Sequence, residues 1–293
     1  MDISLWSLLT LVGRFLLYAC VASAIGGVFS SVLLARHREV APAITRYVGY
    51  GCLAGIVVSI FNLFIQVGEM VDRGLSGIFD TNMMSVMLKT SVGNALVFEL
   101  TGFAVIGVCA WWSLHRASSP RPIAPLLIGV LGCLFLIASF SQVGHFAEAT
   151  WVGKTAISFH ILAMSLWIGS LYPLWVVSRT TDVPAIQLSM EIFGRIAAVI
   201  VFVLVACGIV MGILLVKDFH TLVSTGYGRG LLLKGLFVGA LLLLAASNKW
   251  LTVPHLHRDG VGRRLSRAII LEMSLAGFIF LITGVITSVI GID

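Results

Sequence analysis

Residues 144–173 read Gly144-His145-Phe-Ala-Glu-Ala-Thr-Trp-Val-Gly-Lys-Thr-Ala-Ile-Ser-Phe-His160-Ile-Leu-Ala-Met164-Ser-Leu-Trp167-Ile-Gly-Ser-Leu-Tyr-Pro173, and this stretch decides how the chain is read. From 152 to 178 it is almost continuously apolar, longer than the roughly 20 residues a helix needs to cross a bilayer. At about 100° per residue, His160, Met164, Trp167 and Leu171 fall on one face of that helix. In a soluble core a buried histidine is most often a structural donor to a carbonyl or carboxylate. At membrane depth an ionisable side chain is expensive and points to function. An imidazole one turn from a thioether is a ligand set that copper or haem iron accepts. His145 stands just before the helix, on the path toward His160, and Glu148 offers an oxygen ligand beside it.

The rest of the chain reads the same way. Apolar residues make up 59% of the 293 and charged residues 11%. With a mean hydropathy of +1.05, the composition excludes a soluble domain. The net charge of +6 sits in short loops between apolar spans, so it reads as a topology signal and excludes a nucleic-acid-binding face. The five cysteines (Cys20, Cys52, Cys109, Cys133 and Cys207) are isolated within apolar spans, and no Cys-x-x-Cys occurs. They read as small apolar fillers. The first span lacks a basic leader and is followed by Arg36-His37-Arg38, so it reads as a retained helix.

Eight spans are expected, at 6–35, 44–68, 90–114, 123–143, 152–178, 191–216, 230–252 and 268–290. The fold class is therefore all-α, a polytopic membrane helix bundle. It forms one membrane domain over 1–293. Within it, 1–121 is a three-helix part with a loop at 69–89, and 122–293 contributes five helices. Loops 36–46, 115–122, 179–190 and 253–267 carry Arg36, Arg38, Arg46, Arg116, Arg121, Arg179, Arg258, Arg263, Arg264 and Arg267. The alternate loops carry Glu69, Asp72, Asp80, Glu148 and Asp218. The positive-inside rule places the basic set in the cytoplasm and both termini in the periplasm.

That orientation sorts polar residues by depth. Arg14, Asn62, Gln66, Asn94, Glu99, Gln142, His145, His160 and Lys234 fall in the outer half; Arg195, Asn248 and Glu272 fall in the inner half. Arg14 and Glu99 lie at similar depth and are expected to neutralise each other as a structural clamp, with a proton relay as the alternative. In the 69–89 loop, Met83-Met84-Ser-Val-Met87 follows Met70, and Met83 and Met87 share a helical face. Thioethers prefer Cu(I), so metal capture stands there beside an interfacial amphipathic segment. His37, His115, His255 and His257 read as solvated cytoplasmic-loop residues, although His255-Leu-His257 has metal-exit spacing. No phosphate-binding loop, nucleophile elbow or His-Glu-x-x-His occurs.

Gly144-His145, Phe159-His160 and Leu166-Trp167-Ile168-Gly169-Ser170-Leu171 resemble motifs of the copper resistance protein D (CopD/PcoD) family of bacterial inner-membrane proteins. So do Phe193-Gly194-Arg195-Ile196-Ala197, Gly208 and Thr225-Gly226-Tyr227-Gly228-Arg229-Gly230-Leu231-Leu232-Leu233-Lys234, followed by Asn248. The resemblance covers about 140–255; Ser170 departs from it, standing where a second glycine is usual. It implies a multi-pass protein of the bacterial cytoplasmic membrane that moves copper, with no enzymatic activity. A separate periplasmic copper chaperone is the implied partner beyond copper and lipid. Tyr227, Arg229 and Lys234 enter as structural or relay residues through this resemblance, beside Arg14, Glu99 and Trp167.

The leading expectation is copper import, as Cu(I): capture by Met83, Met87 or His145, then transfer to His160 and Met164, with Glu99 as a proton carrier. The pattern His160-x6-Trp167-x-Gly169-x-Leu171-x-Pro173 is also similar to that of HemJ-type protoporphyrinogen oxidases. That alternative is an oxidoreductase with His160 as axial ligand to haem b. A ligand-free scaffold or copper sensor is a third reading.

Overall fold

The computed structural model describes residues 4–115, 123–143, 150–215 and 219–290; these are helical with no strand. The helices are α1 (Leu5–Leu33), α2 (Ala41–Val71), α3 (Thr81–Leu88), α4 (Ser91–His115), α5 (Ile123–Ser139), α6 (Trp151–Val177), α7 (Val183–Leu215), α8 (Phe219–Ser224), α9 (Gly226–Ser247) and α10 (Val261–Val285). A π-helical turn at Asn248–Thr252 prolongs α9, and another at Ile286–Ile290 prolongs α10. Seven helices among the described residues are long and apolar enough to cross a membrane. The expected fourth span is α5, apolar but only 17 residues long, or about 25 Å at the α-helical rise.

Local chemistry sets the boundaries. Ser4 caps α1 by accepting from the Ser7 amide at 3.1 Å. Thr225 caps α9 by accepting from the Gly228 amide at 3.0 Å. Asp182 accepts from the Ala185 amide at 3.1 Å, a cap that opens α7 at Val183 rather than near 191, where the hydrophobic run alone would start it. The interval 69–89 is not a plain loop. A 3₁₀ turn at Ser76–Phe79 leads into α3, whose first turn is capped by Asp80 accepting from the Met83 amide at 2.9 Å.

Helix α6 is the enclosed member of the bundle: 61% of its most apolar window is buried, against at most 39% in the other spans. In lipid no hydrophobic effect draws helices together, so close packing and polar contacts must do so. The α1–α6 crossing supplies both. A Cβ on Gly26 would lie 2.5 Å from the Gly169 backbone, and one on Gly169 would clash with the Ala22 carbonyl. Ser30 donates to Ser170 at 3.1 Å, Ser170 to the Leu166 carbonyl at 2.6 Å, and the Tyr47 hydroxyl to the Gly169 carbonyl at 3.2 Å. Ser170, the departure from the glycine pattern, thus becomes the polar tie between α1 and α6. By contrast α7 and α9 present mostly open flanks, with 11% and 6% of their windows buried.

Contacts between helix ends show that neighbours alternate in direction. The Arg14 guanidinium in the first third of α1 donates at 2.7 Å to the Thr287 carbonyl beyond the end of α10. At the opposite end Ser178, after α6, meets Ser266, early in α10, at 2.7 Å. The bundle end at which α1 starts is called the upper end below. At the lower end, His37 corrects an expectation. It is 2% exposed, not solvated, with Nε2 2.9 Å from Ser189 Oγ and Nδ1 3.3 Å from Glu39. The short 34–40 connection turns its ring onto the early α7 surface. His115 and His255 hydrogen-bond to carbonyls of their own helical turns, at 2.9 and 3.0 Å.

Gly169→Leu should destabilise the protein by more than about 3 kcal/mol, beyond the usual overpacking range, because the new atoms meet backbone. Gly235→Ala, where no atom lies within 4 Å of an added Cβ, should leave stability within about 1 kcal/mol. Thermal unfolding in detergent, read by thiol-reactive dye and size-exclusion profile, compares the two.

Candidate metal site

His160 is the tenth residue of α6, roughly 14 Å below its upper end. Its Nδ1 lies 3.1 Å from the Leu204 carbonyl of α7. A carbonyl can only accept, so Nδ1 carries the proton and the Nε2 lone pair is left to receive a ligand. This is how metal-binding imidazoles are usually oriented, with the second nitrogen locked by an outer hydrogen bond. Gly208, one turn along α7, keeps the ring's other flank free: a Cβ there would sit 3.5 Å from Cε1. Met164 follows one turn below His160 and is 7% exposed, while Trp167 at 2% and Leu171 at 1% close the lower side of that face.

The Lys234 side chain on α9 is half-buried, and its charge acts on the His160 ring. An ammonium about 10 Å away would oppose a cation at that imidazole by about 1–2 kcal/mol at an effective dielectric constant near 20. Lys234 therefore weakens, rather than builds, a cation site. Tyr227, the second residue of α9, is half-buried. Arg229 is exposed and donates through Nε to the Val223 carbonyl at 3.0 Å, tying the short α8 to α9.

The methionines divide. Met87 is packed with Leu63 and Val67 in a small core, against which Met83 and Met84 also rest. Met83 additionally lines a shallow upper-end cavity of about 390 Å³ with Met70, Arg73, Asp80 and Asn82. The partner of Met83 in open space is thus Met70. His145 and Glu148, with Gly144, Arg116, Arg121 and Asp218, lie outside the described residues.

Arg14 and Glu99 do not form the expected clamp. Arg14 is satisfied by the Thr287 carbonyl, and Glu99 stands half-buried beside Ser59 of α2. Ser59 begins a polar row on one face of α2. Asn62 donates to the Gly13 carbonyl at 3.5 Å, Gln66 to the Asn62 carbonyl at 3.3 Å, and Glu69 accepts from Thr10 at 3.5 Å. The 59/62/66/69 spacing carried that signal in the sequence. Two further groupings had no such signal. Asn248 donates to Glu272 at 2.6 Å, joining α9 to α10. Cys20, Cys52 and Cys133, from α1, α2 and α5, are buried in one core, yet among the described residues no three His, Cys, Asp or Glu side chains assemble as a metal site.

The fold defines a multi-pass membrane protein with a histidine and a buried methionine on one face of its most enclosed helix. Comparison with known proteins gives the family. Residues 4–154 match the model described as copper resistance protein D-like, N-terminal domain, and residues 187–286 match copper resistance protein D. The chain belongs to the copper resistance protein D family. The match thus includes the first four helices, which the motif resemblance alone did not reach, while most of α6, with His160 and Met164, lies between the two matched segments. The chain is also 23% identical over 231 residues to the inner membrane protein YebZ of Escherichia coli (strain K12), covering 76% of each chain. No solved structure matches it. It is a multi-pass protein of the inner membrane.

Trp167→Ala should cost about 3–5 kcal/mol and Met87→Ala about 2–5 kcal/mol, as truncations of buried core residues. Met70→Ala, at a side chain 66% exposed, should cost less than about 1 kcal/mol. Denaturation midpoints of the three variants order them.

Proposed function

We propose that this chain imports copper across the bacterial cytoplasmic membrane and is not an enzyme. In this reading the upper end faces the periplasm, both termini lie there, and α5 completes eight spans. Copper, as Cu(I), is delivered by a periplasmic chaperone and captured at the rim by Met83 and His145, with Met87 holding the segment in shape. It then passes to His160 Nε2 and Met164. The observation that carries the proposal is the hydrogen bond from His160 Nδ1 to the Leu204 carbonyl. It presents a neutral imidazole with its other nitrogen free, at membrane depth, beside a thioether. The Lys234 charge keeps that site weak, and a transit site must release as well as bind. The sequence shows no nucleotide-binding motif, and in this reading transport is passive or coupled to protons.

Purified protein titrated with Ag(I), a redox-inert stand-in for Cu(I), should lose one bound ion per chain in His160→Ala and bind at least tenfold more weakly in Met164→Leu. Lys234→Met should tighten binding about tenfold, the size expected from removing one nearby charge. Copper accumulation by cells expressing these variants should fall with His160→Ala. A red protein whose Soret band disappears in His160→Ala would overturn the proposal in favour of haem ligation. Unchanged accumulation in His160→Ala would overturn transport through this site.

A further inference from the structure

The lower half of the bundle holds a second polar centre, remote from His160 along the bundle axis. Glu272, in the middle of α10, is 5% exposed, and Asn248, at the junction of α9 with its π-helical turn, is 8% exposed. The Asn248 amide donates to Glu272 Oε1 at 2.6 Å. Thr252, one turn further and 3% exposed, adds a buried hydroxyl on the same short segment.

Among the described residues no neighbouring cation pairs with Glu272. The Lys249 stem lies along Gly194 of α7, with its ammonium 5.9 Å from the Trp250 ring. Arg179, after α6, stacks 4.8 Å over Trp175. Arg195 on α7 and Arg263, Arg264 and Arg267 on α10 itself are exposed. The α1 residues packed on α10 above this level, Phe15 and Tyr18, bring aromatic rings to Phe280. Glu272 takes part in no ion pair among the described residues. Asn248 has a single amide group to offer, and it is spent on one carboxyl oxygen.

An ionised carboxylate enclosed in a membrane protein without a counter-charge is prohibitively costly, and one neutral hydrogen bond does not offset that cost. A ligand must neutralise it. The donor set is all oxygen and hard, which excludes Cu(I). The geometry also favours a site that changes state. A π-helical turn places one extra residue in the helix, and such turns are frequent at functional positions. Here the turn begins at the residue that holds the carboxyl.

We propose that Glu272, held by Asn248, is an exchangeable proton-binding site in the cytoplasmic half of the protein, and that its loading and release accompany copper movement. The transport half rests on the proposed copper import; the proton-binding half does not. When the proton leaves, the carboxylate requires water or a cation to reach it. The π turn is the element whose rearrangement would open α9 from α10 at that level. Proton loading and cytoplasmic opening are thereby joined in one side-chain pair.

Two measurements on the full-length protein separate the claims. In lipid nanodiscs, pH-difference infrared spectra should show a protonated carboxyl band that Glu272→Gln removes and Asn248→Leu shifts upward as its hydrogen bond is lost. A titrating band unaffected by Glu272→Gln, or one erased by Na⁺ at constant pH, would overturn the proton assignment. In proteoliposomes loaded with a copper-sensitive dye, an imposed pH gradient should change wild-type Cu(I) uptake several-fold. Glu272→Gln should abolish that gradient dependence while retaining uptake without a gradient, and retained dependence would overturn the coupling. Absence of any uptake by the wild type would overturn both import and coupling, leaving the infrared assignment to stand on its own result.

Discussion

The near-contact of two backbones, α1 at Ala22 and Gly26 with α6 at Ser165 and Gly169, is the constraint on which the other placements depend. It sets α6 in the middle of the bundle and fixes its rotation, because Gly169 and Ser170 can face α1 in one orientation only. Met164, Trp167 and Leu171 then turn inward, and His160 falls against α7, where the Leu204 carbonyl fixes its tautomer. A lipid-embedded fold cannot rely on excluding water from apolar surface, so small side chains and a serine pair perform the task that large aliphatic residues perform in a soluble core.

Much of this was legible in the sequence. Seven of the eight expected spans meet helices long and apolar enough to cross a membrane, the fourth meets the shorter α5, and the inward face of α6 follows from periodicity. Boundaries shifted where capping chemistry outweighed hydrophobicity, as when Asp182 drew the start of α7 to Val183. Pairings between helices were not legible. Similar depth suggested that Arg14 and Glu99 would meet, but depth leaves the azimuth of each residue on its helix open, and they face different neighbours. For the same reason Met83 shares a cavity with Met70 and not with Met87, whose thioether is drawn into the Leu63–Val67 core. His37 carries the same lesson for loops: a basic sequence neighbourhood does not decide exposure when the connection is only a few residues long.

The candidate site was legible as chemistry and illegible as electrostatics. His160 and Met164 announce themselves by residue type at membrane depth. That the Lys234 charge would act on the His160 ring depends on the placement of α9, which no periodicity encodes. In the proposed function that charge would weaken metal binding at the pair, as a transit site requires.

Helix α5 adds a property of a different kind. Over its described residues it runs about 25 Å, short of a typical hydrocarbon thickness of roughly 30 Å, while its neighbour α4 runs for 25 residues. A bilayer meeting such a short wall thins locally or draws its headgroups inward. One flank of the molecule would then sit in a dimple of its own making, and thicker, sterol-like or long-chain membranes would press on that flank harder than on any other.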